Sequence, residues 1–488
     1  MNWIPAKAAK FLNSPIVKNS GWGLMSNIVQ VLFVCIFFSI VARKFTTDEF
    51  AKFLISTTIY QIVAAFSSMG LGQWFIRQYV EEIDRSTLIN KYLKTQSLLG
   101  IAFYVINIVI AYMLYADNNI RVLCVILGVN IIFDNLINAL KSLNIAEHRQ
   151  NKTAPILILD GFLKLLLGIC LLFTPFSPVV LAVLLIAVRL FSLGFFIKIG
   201  TSGNVSLRKL LLVKISYEDL KNLISRNWQF MVIGSISIVY WRMGNIIISK
   251  TLTMVNIAEY EISFRVFSLL QIVPLVVSAS IFPQLVKYAN QKDPKELKYF
   301  YNSIFLIAAV FSILCYAFTF SFSGIILSFA FGRGYPGATL CLQQMSLSLL
   351  FIPTVLLQAN LIVAIKLEKL DMWLNIGSLL VYITLCTLGL HFIRSLSIVN
   401  FSIFISFFVF HLFQDIILIR KKLTSVLHST LFYIILISVV LIYQFITNYL
   451  NSYLCFVLLL MSTSILMFIL MAYRKQEHLE SELLKIIN

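Results

Sequence analysis

What most constrains this chain is a recurrence. Apolar runs of about 20 residues, enough for a helix rising about 1.5 Å per residue to cross a bilayer core, return along its whole length with short polar links between them. Length and hydropathy predict about 14 spans, at 20–42, 50–73, 96–116, 121–141, 154–174, 177–198, 228–250, 259–283, 301–323, 340–364, 372–393, 397–419, 429–449 and 452–473. Inside lipid every backbone N–H and C=O needs a partner, which a helix supplies from within itself. The expected fold class is an all-α polytopic membrane protein. Charged residues make up 12% of the chain, against about 25% in soluble domains, and no long polar region remains for a separate water-soluble domain. The basic start, MNWIPAKAAKFLNSPIVKNS, leads into an apolar run too long for a signal-peptide core and without a small-residue cleavage site, so it reads as a retained first helix.

A formal charge of +18 suggests nucleic acid in a soluble chain. Here orientation explains most of it. With the N-terminus inside, about 28 Lys and Arg fall on the cytoplasmic side against about 7 on the other, a decisive bias under the positive-inside rule. Both termini are expected in the cytoplasm, and no nucleic-acid partner is expected. The seven cysteines lie within apolar runs without CxxC spacing, so neither disulfides nor a metal site is expected. The histidines do not cluster, and no phosphate-cradling glycine loop or nucleophile–base spacing appears. The chain is expected not to be an enzyme and to need no cofactor.

Four basic residues are left deep in spans, where topology does not account for them: Lys164, Arg189, Arg242 and Arg265. A charge at such depth costs about 2.5 kcal/mol or more on insertion scales, so it faces a cavity or a partner. The stretch 258–289, AEYEISFRVFSLLQIVPLVVSASIFPQLVKYA, carries Arg265 with Glu261 one turn before it, Pro274 at its middle and Pro283 near its end. Proline frees a carbonyl and permits a bend, which makes Pro274 a candidate hinge. Lys164 has Asp160 four residues earlier on the same face, either a structural ion pair or a site for a coupling ion. Asp134 is a similar carboxylate in the fourth span. Arg189 either faces a cavity or snorkels to the cytoplasm. Asp415, near the inner end of the twelfth span, is expected to pair with neighbouring basic residues.

The largest link, 199–227, is basic and includes an amphipathic run, YEDLKNLISRNW, expected to lie along the membrane. It separates two sets of six spans that share a weak repeat, with Asn19–Ser20–Gly21–Trp22 answered by Ser225–Arg226–Asn227–Trp228 and Thr46–Thr47–Asp48–Glu49–Phe50 by Asn256–Ile257–Ala258–Glu259–Tyr260. The expected organisation is a tail at 1–19, an N-lobe at 20–198, the link at 199–227, a C-lobe at 228–424, an accessory helix pair at 425–473 and a tail at 474–488.

Five segments carry a family resemblance: GWGLMSNIVQVL, FTTDEFAKF, MGLGQWFIRQYV, EYEISFRVFSLLQIVPLVVSASIFPQLVKYA and FGRGYPGAT. With the helix count and repeat, they make the chain resemble the polysaccharide (O-antigen) flippases of the multidrug/oligosaccharidyl-lipid/polysaccharide exporter superfamily, which also contains lipid II flippases and multidrug and toxin extrusion transporters. The resemblance implies two six-helix lobes in a V around a cavity that opens alternately to each side. It also implies a monomer that flips undecaprenyl-pyrophosphate-linked oligosaccharide to the outer leaflet, among membrane lipids and alongside polysaccharide polymerase and chain-length machinery.

Under that resemblance Arg265 and Arg242, expected at similar depth on opposed helices, form a candidate pyrophosphate clamp, because Arg donates to phosphate in a bidentate fork. The alternative is an internal salt bridge with Glu261. Lys164, Arg189 and Arg77 are further candidate substrate contacts, Arg77 at the cytoplasmic mouth. Asp134, Asp160 and Glu261 are candidates for ion coupling or ion pairing, and Arg333 in FGRGYPGAT, a turn or re-entrant elbow, for gating. Coupling to a proton, a sodium ion or the membrane potential would each serve. The alternative function is a cation-coupled multidrug exporter of the same superfamily, which Asp134 and Asp160 keep open. A membrane-embedded polymerase or ligase would carry a long outer loop, and the outer loops here are short.

Overall fold

The computed structural model describes residues 15–82, 84–147, 149–198, 217–291 and 294–465. Among these residues the chain is helix and turn, in the order α1 (Pro15–Lys44), α2 (Thr47–Ser67), α3 (Leu71–Glu81), α4 (Arg85–Leu114), α5 (Asn118–Gly128), α6 (Asn130–Ala146), α7 (Gln150–Phe173), α8 (Pro178–Lys198), α9 (Tyr217–Thr251), α10 (Met254–Leu270), α11 (Ile272–Asn290), α12 (Pro294–Phe331), α13 (Ala338–Ser346), a 3-10 turn (Leu347–Leu350), α14 (Ile352–Ala364), α15 (Glu368–Phe392), α16 (Leu396–Arg420) and α17 (Val426–Thr447). An apolar helix at Ser452–Ile465, α18, follows. Twelve helical stretches, from Thr47–Tyr79 to Val426–Thr447, are long and apolar enough to cross a membrane. The 30-residue α1 and α18 stand where the expected first and fourteenth spans fall. The protein is an all-α, multi-pass membrane protein.

Several expected spans are broken helices. The second changes course at Met69 and Gly70, whose φ angles of 50° and 63° lie in the left-handed region that a helix cannot use. The fourth is interrupted at Val129, between α5 and α6, beside a side chain from another helix. Buried Asn107 of α4 donates from Nδ2 to the Cys124 carbonyl at 2.9 Å, an acceptor the helix would otherwise give to Gly128. A Cβ at Gly128 would stand 2.4 Å from that nitrogen, so only glycine leaves room for it. The expected bend at Pro274 is an interruption at Gln271, three residues earlier. Pro274 itself sits in the first turn of α11, where a missing N–H costs no helical bond.

Two further expectations are corrected. The run YEDLKNLISRNW is not a separate element along the membrane but the first turns of α9, continuous with the span that follows. Lys141, expected as the last residue of the fourth span, lies within a helix that continues to Ala146. Most of the link, 199–216, and both tails lie outside the described residues.

The chain forms two compact units. One comprises the chain through Leu269 with Ser328–Ala338 and Asn375–Ser402. Within it Phe75 of α3 stacks on Tyr92 of α4 at 4.2 Å, in a core filled by Leu71, Leu93, Ile137, Leu140 and Phe196. The other comprises Leu270–Leu327, Thr339–Leu374 and the chain from Ile403. There Asn360 of α14 donates to the Ser278 carbonyl of α11 at 2.8 Å. α17 and α18 pack on α12 through Tyr443 with Ser321, 2.6 Å apart, and an edge contact of Phe322 with Phe456.

The Asn107–Gly128 fit gives a stability test. Gly128→Ala should lower the thermal unfolding midpoint of the purified protein, at a cost of about 1–3 kcal/mol for overpacking a filled site. Gly377→Ala on α15, where a Cβ would meet nothing within 4 Å, should leave the midpoint unchanged or raise it.

Candidate functional site: a charged cavity backed by two ion-pair stations

Asp160 on α7 is 1% exposed and collects two cations. Lys164, one turn along the same helix, approaches Oδ2 at 2.7 Å, and Arg189 of α8 approaches Oδ1 at 3.1 Å. Ser192 donates to Oδ1 at 3.0 Å and Gln30 of α1 to Oδ2 at 3.1 Å. Arg189 also reaches Asp134 of α6, with Nε 2.8 Å from Oδ1, while the Tyr60 hydroxyl of α2 donates to Asp134 Oδ2 at 2.6 Å. Asp134, Arg189, Asp160 and Lys164 thus form one chain of alternating sign. Arg189 does not snorkel; both of its anionic partners hold it inward.

Glu261 on α10, also 1% exposed, anchors the second station in the same way. Arg242 of α9 donates from Nη1 to both carboxylate oxygens, at 2.9 and 3.0 Å, and Arg265 places Nη2 2.6 Å from Oε1. Asn245 donates to Oε2 at 2.7 Å and to Thr58 of α2 at 3.0 Å. The Arg265 guanidinium lies 3.7 Å from the centre of the Phe38 ring; that of Arg242 lies 5.1 Å from the Phe264 ring. Two cations share one carboxylate, so this station carries a net positive charge. Both arginines of the expected clamp are held on Glu261.

Beside these stations is a cavity of about 550 Å³. Four of its walls are helix faces. α2 gives Tyr60, Gln61, Ala64 and Ser68; α6 gives Asp134, Asn138 and Lys141; α9 gives Gly234, Ser237, Trp241 and Arg242; and α8 gives Arg189. These positions recur at intervals of three and four, the spacing that lines one helix face. The charged lining residues are Arg189, Arg242, Lys141 and Asp134, three basic to one acidic.

Of the residues singled out from sequence, Arg242, Arg189 and Asp134 line the cavity. Arg265, Lys164, Asp160 and Glu261 do not line it; they stand behind it in the ion pairs. Arg77 is exposed on α3 and Arg333 is exposed in the 332–337 turn between α12 and α13; neither lines the cavity. Lys141, Tyr60 and Trp241 are cavity residues that the sequence reading missed. A signal for Lys141 existed: it lies seven residues after Asp134, two turns along the same face.

Asp415 was expected to pair with basic residues. Instead its partners are Gln358 at 2.6 Å, Tyr433 at 2.9 Å and His411 at 3.5 Å.

The chain is thus a multi-pass helical membrane protein with ion pairs buried beside a charged cavity. The chain is a member of the polysaccharide biosynthesis protein family, whose model matches residues 40–340. A comparison with curated proteins finds no match. Among solved structures, it is similar to the lipid II flippase MurJ in an inward closed conformation, with 16% identity and a TM-score of 0.71 over 93% of this chain and 100% of that one. It is also similar to an inward-facing multidrug resistance MATE family transporter of the MOP superfamily, with 14% identity and a TM-score of 0.68 over 81% and 96%. A third is a MOP superfamily transporter from Pyrococcus furiosus described by the reverse polarity of its binding pocket, with 14% identity and a TM-score of 0.59 over 84% and 95%. At these identities the likeness establishes the fold.

The station around Asp160 predicts an asymmetry. Asp160→Asn leaves Lys164 buried without a counter-charge and should destabilise by about 3–5 kcal/mol, the usual cost of breaking a buried pair from one side. Lys164→Met should cost less, because Asp160 keeps Arg189, shared with Asp134, and the donors Ser192 and Gln30, whereas Lys164 loses its one ion-pair partner among the described residues. Adding Lys164→Met to Asp160→Asn should recover part of the loss. Thermal unfolding of the four proteins checks the cycle.

Proposed function

We propose that the protein is a flippase for polyprenyl-pyrophosphate-linked oligosaccharide, undecaprenyl-linked in a bacterial cytoplasmic membrane, working by alternating access with both termini in the cytoplasm. The observation that carries this reading is the cavity lining, in which Arg189, Arg242 and Lys141 outnumber Asp134. A pyrophosphate entering the cavity would meet Arg242 and Lys141, while the prenyl tail stays in lipid. A volume of about 550 Å³ lies within the roughly 300–1,000 Å³ of small-ligand sites, suited to a headgroup rather than a whole glycan. Family membership supports a role in polysaccharide assembly.

Arg265 and Glu261 take a supporting role in this reading. Arg242 is held by Glu261, and an arriving phosphate would compete with that carboxylate for the guanidinium, with Arg265 neutralising Glu261 when Arg242 turns away. Lys164 and Asp160 likewise fix Arg189. Pro274, next to the Gln271 interruption, is the candidate hinge. Arg77 and Arg333 would act at the two mouths. The reaction class is transport rather than catalysis. A positive site would itself feel the membrane potential, at about 2.3 kcal/mol per charge per 100 mV.

The second reading, a cation-coupled drug exporter, draws on Asp134, the one carboxylate facing the cavity. Its charge is matched by Arg189 at 2.8 Å, which disfavours a cationic drug there.

Complementation of a flippase-null strain that assembles the cognate glycan tests the proposal. Wild type should restore surface glycan. Arg242→Ala should abolish it at normal membrane level, and Arg242→Lys should rescue in part, since it keeps the charge but loses the bidentate fork. Full activity of Arg242→Ala together with Lys141→Ala would overturn the anionic-headgroup reading.

A further inference from the structure

Asp415 differs from the three carboxylates of the ion-pair stations. Asp134, Asp160 and Glu261 each face a guanidinium or ammonium, whereas among the described residues no Lys or Arg lies within ion-pair distance of Asp415. It is 3% exposed, on α16 in the second unit. Oδ1 accepts from Gln358 Nε2 of α14 at 2.6 Å, and Oδ2 accepts from the Tyr433 hydroxyl of α17 at 2.9 Å. One turn back on α16, His411 is fully buried, with Nδ1 2.7 Å from the same Tyr433 oxygen and 3.5 Å from Asp415 Oδ2. Its ring stacks on Phe432 at 5.1 Å and contacts Phe305 and Phe351. Its Nε2 has no hydrogen-bond partner among the described residues.

These contacts form a line, Asp415–Tyr433–His411, with one hydroxyl serving both ends. If Tyr433 donates to an ionised Asp415, its oxygen accepts from His411 Nδ1–H. If Asp415 is protonated, it donates to Tyr433, whose own proton then turns to His411 Nδ1, the neutral imidazole now carrying its hydrogen on Nε2. The same line of atoms satisfies both arrangements. A carboxylate with only neutral donors in an apolar setting is costly to bury, and one added proton removes the charge. We propose that Asp415, Tyr433 and His411 form a buried site that binds one exchangeable proton and ties the accessory helix α17 to α16. Uptake transfers a proton from water to the Asp415–His411 line, changing the site from one negative charge to none; release returns the proton to water and restores the charge.

The surrounding groups leave this site to itself. Tyr301 of α12 feels the Asp415 charge and is a neutral phenol. His428 of α17 stacks near Phe305, with Lys298 of α12 acting on it. From α15, Asp371 lies toward Gln414, at 3.5 Å. None of these is a fixed cation in contact with the Asp415 carboxylate. The proposal is independent of the flippase reading, since it concerns proton binding to the second unit and not cargo in the first.

Infrared difference spectroscopy of the full chain in lipid nanodiscs, titrated over about pH 5 to 8, where histidine-linked sites change charge, tests it. Wild type should show a protonated-carboxyl band that rises as pH falls. Asp415→Asn, which can still meet Gln358 and Tyr433, should lack that band while eluting as a monodisperse species. Tyr433→Phe and His411→Gln should each shift the midpoint by about one unit, tenfold in proton affinity. A band unchanged by Asp415→Asn, or a wild type without a titrating band, overturns the site. A midpoint unmoved by both Tyr433→Phe and His411→Gln overturns the shared line.

Discussion

Compensation of charge where water is scarce is the constraint on which the rest of the structure depends. Both stations solve it in one way. A carboxylate takes a basic partner one turn along its own helix, Lys164 for Asp160 and Arg265 for Glu261, and an arginine from another helix, Arg189 or Arg242. Each carboxylate therefore ties two helices together and fixes an arginine whose other face looks into the cavity. The stations differ in their balance. Asp134 brings the first to neutrality, whereas the second keeps one positive charge, and Lys141 adds another at the wall. The positive surplus thus sits where a cargo would meet it, while the same residues hold the helices at fixed spacing.

Pairs within one helix were legible from sequence, because the i, i+4 rule needs only the spacing of residues. Asp160–Lys164 and Glu261–Arg265 were found that way. Pairs between helices were not, since nothing local places Arg189 against Asp134 or Arg242 against Glu261. Burial depth separated cavity residues from supporting ones, and depth depends on which face each helix turns to its neighbours. Arg265 was the most conspicuous charge in the sequence and proves to be a second-row support over Phe38. Lys141 was missed for the opposite reason: hydropathy placed it at the very end of a span, whereas α6 continues to Ala146 and carries it along the wall.

The span count was legible and the helix breaks were not. Hydropathy reports length and apolarity, which α5 and α6 share with an unbroken span. Their interruption lies beside Asn107, from a helix whose sequence says nothing about Cys124. Pro274 correctly pointed to an irregularity, yet the break falls at Gln271, where proline's effect on the preceding turn is felt. This is also where the first unit ends, at Leu269, so the two parts of the expected eighth span serve different cores.

The diffuse family-bearing segments acquire a common cause at one end of the first unit. In FTTDEFAKF, Thr46 and Glu49 form a capping box that starts α2, and Lys52 bridges Asp48 at 2.8 Å and Asp117 at 3.0 Å. Phe50 meets the Tyr335 ring of FGRGYPGAT, whose hydroxyl donates to the Ala42 carbonyl at 2.8 Å. Arg43 and Ser39 donate to carbonyls in the last turn of α12, where the helix dipole favours a cation. Glu259 of EYEISF accepts from the Gly337 amide at 2.7 Å, and a Cβ at Gly337 would stand 2.5 Å from the same carboxylate. Ser263 binds the Ala338 carbonyl at 2.8 Å. These contacts clasp Ser328–Ala338 to the first unit, although α12 on one side and α13 on the other continue into the second. The segments look weak as motifs because each supplies caps, small residues and single donors rather than a reactive centre. Three of them share one task, which is to hold Ser328–Ala338 against the helices of the first unit.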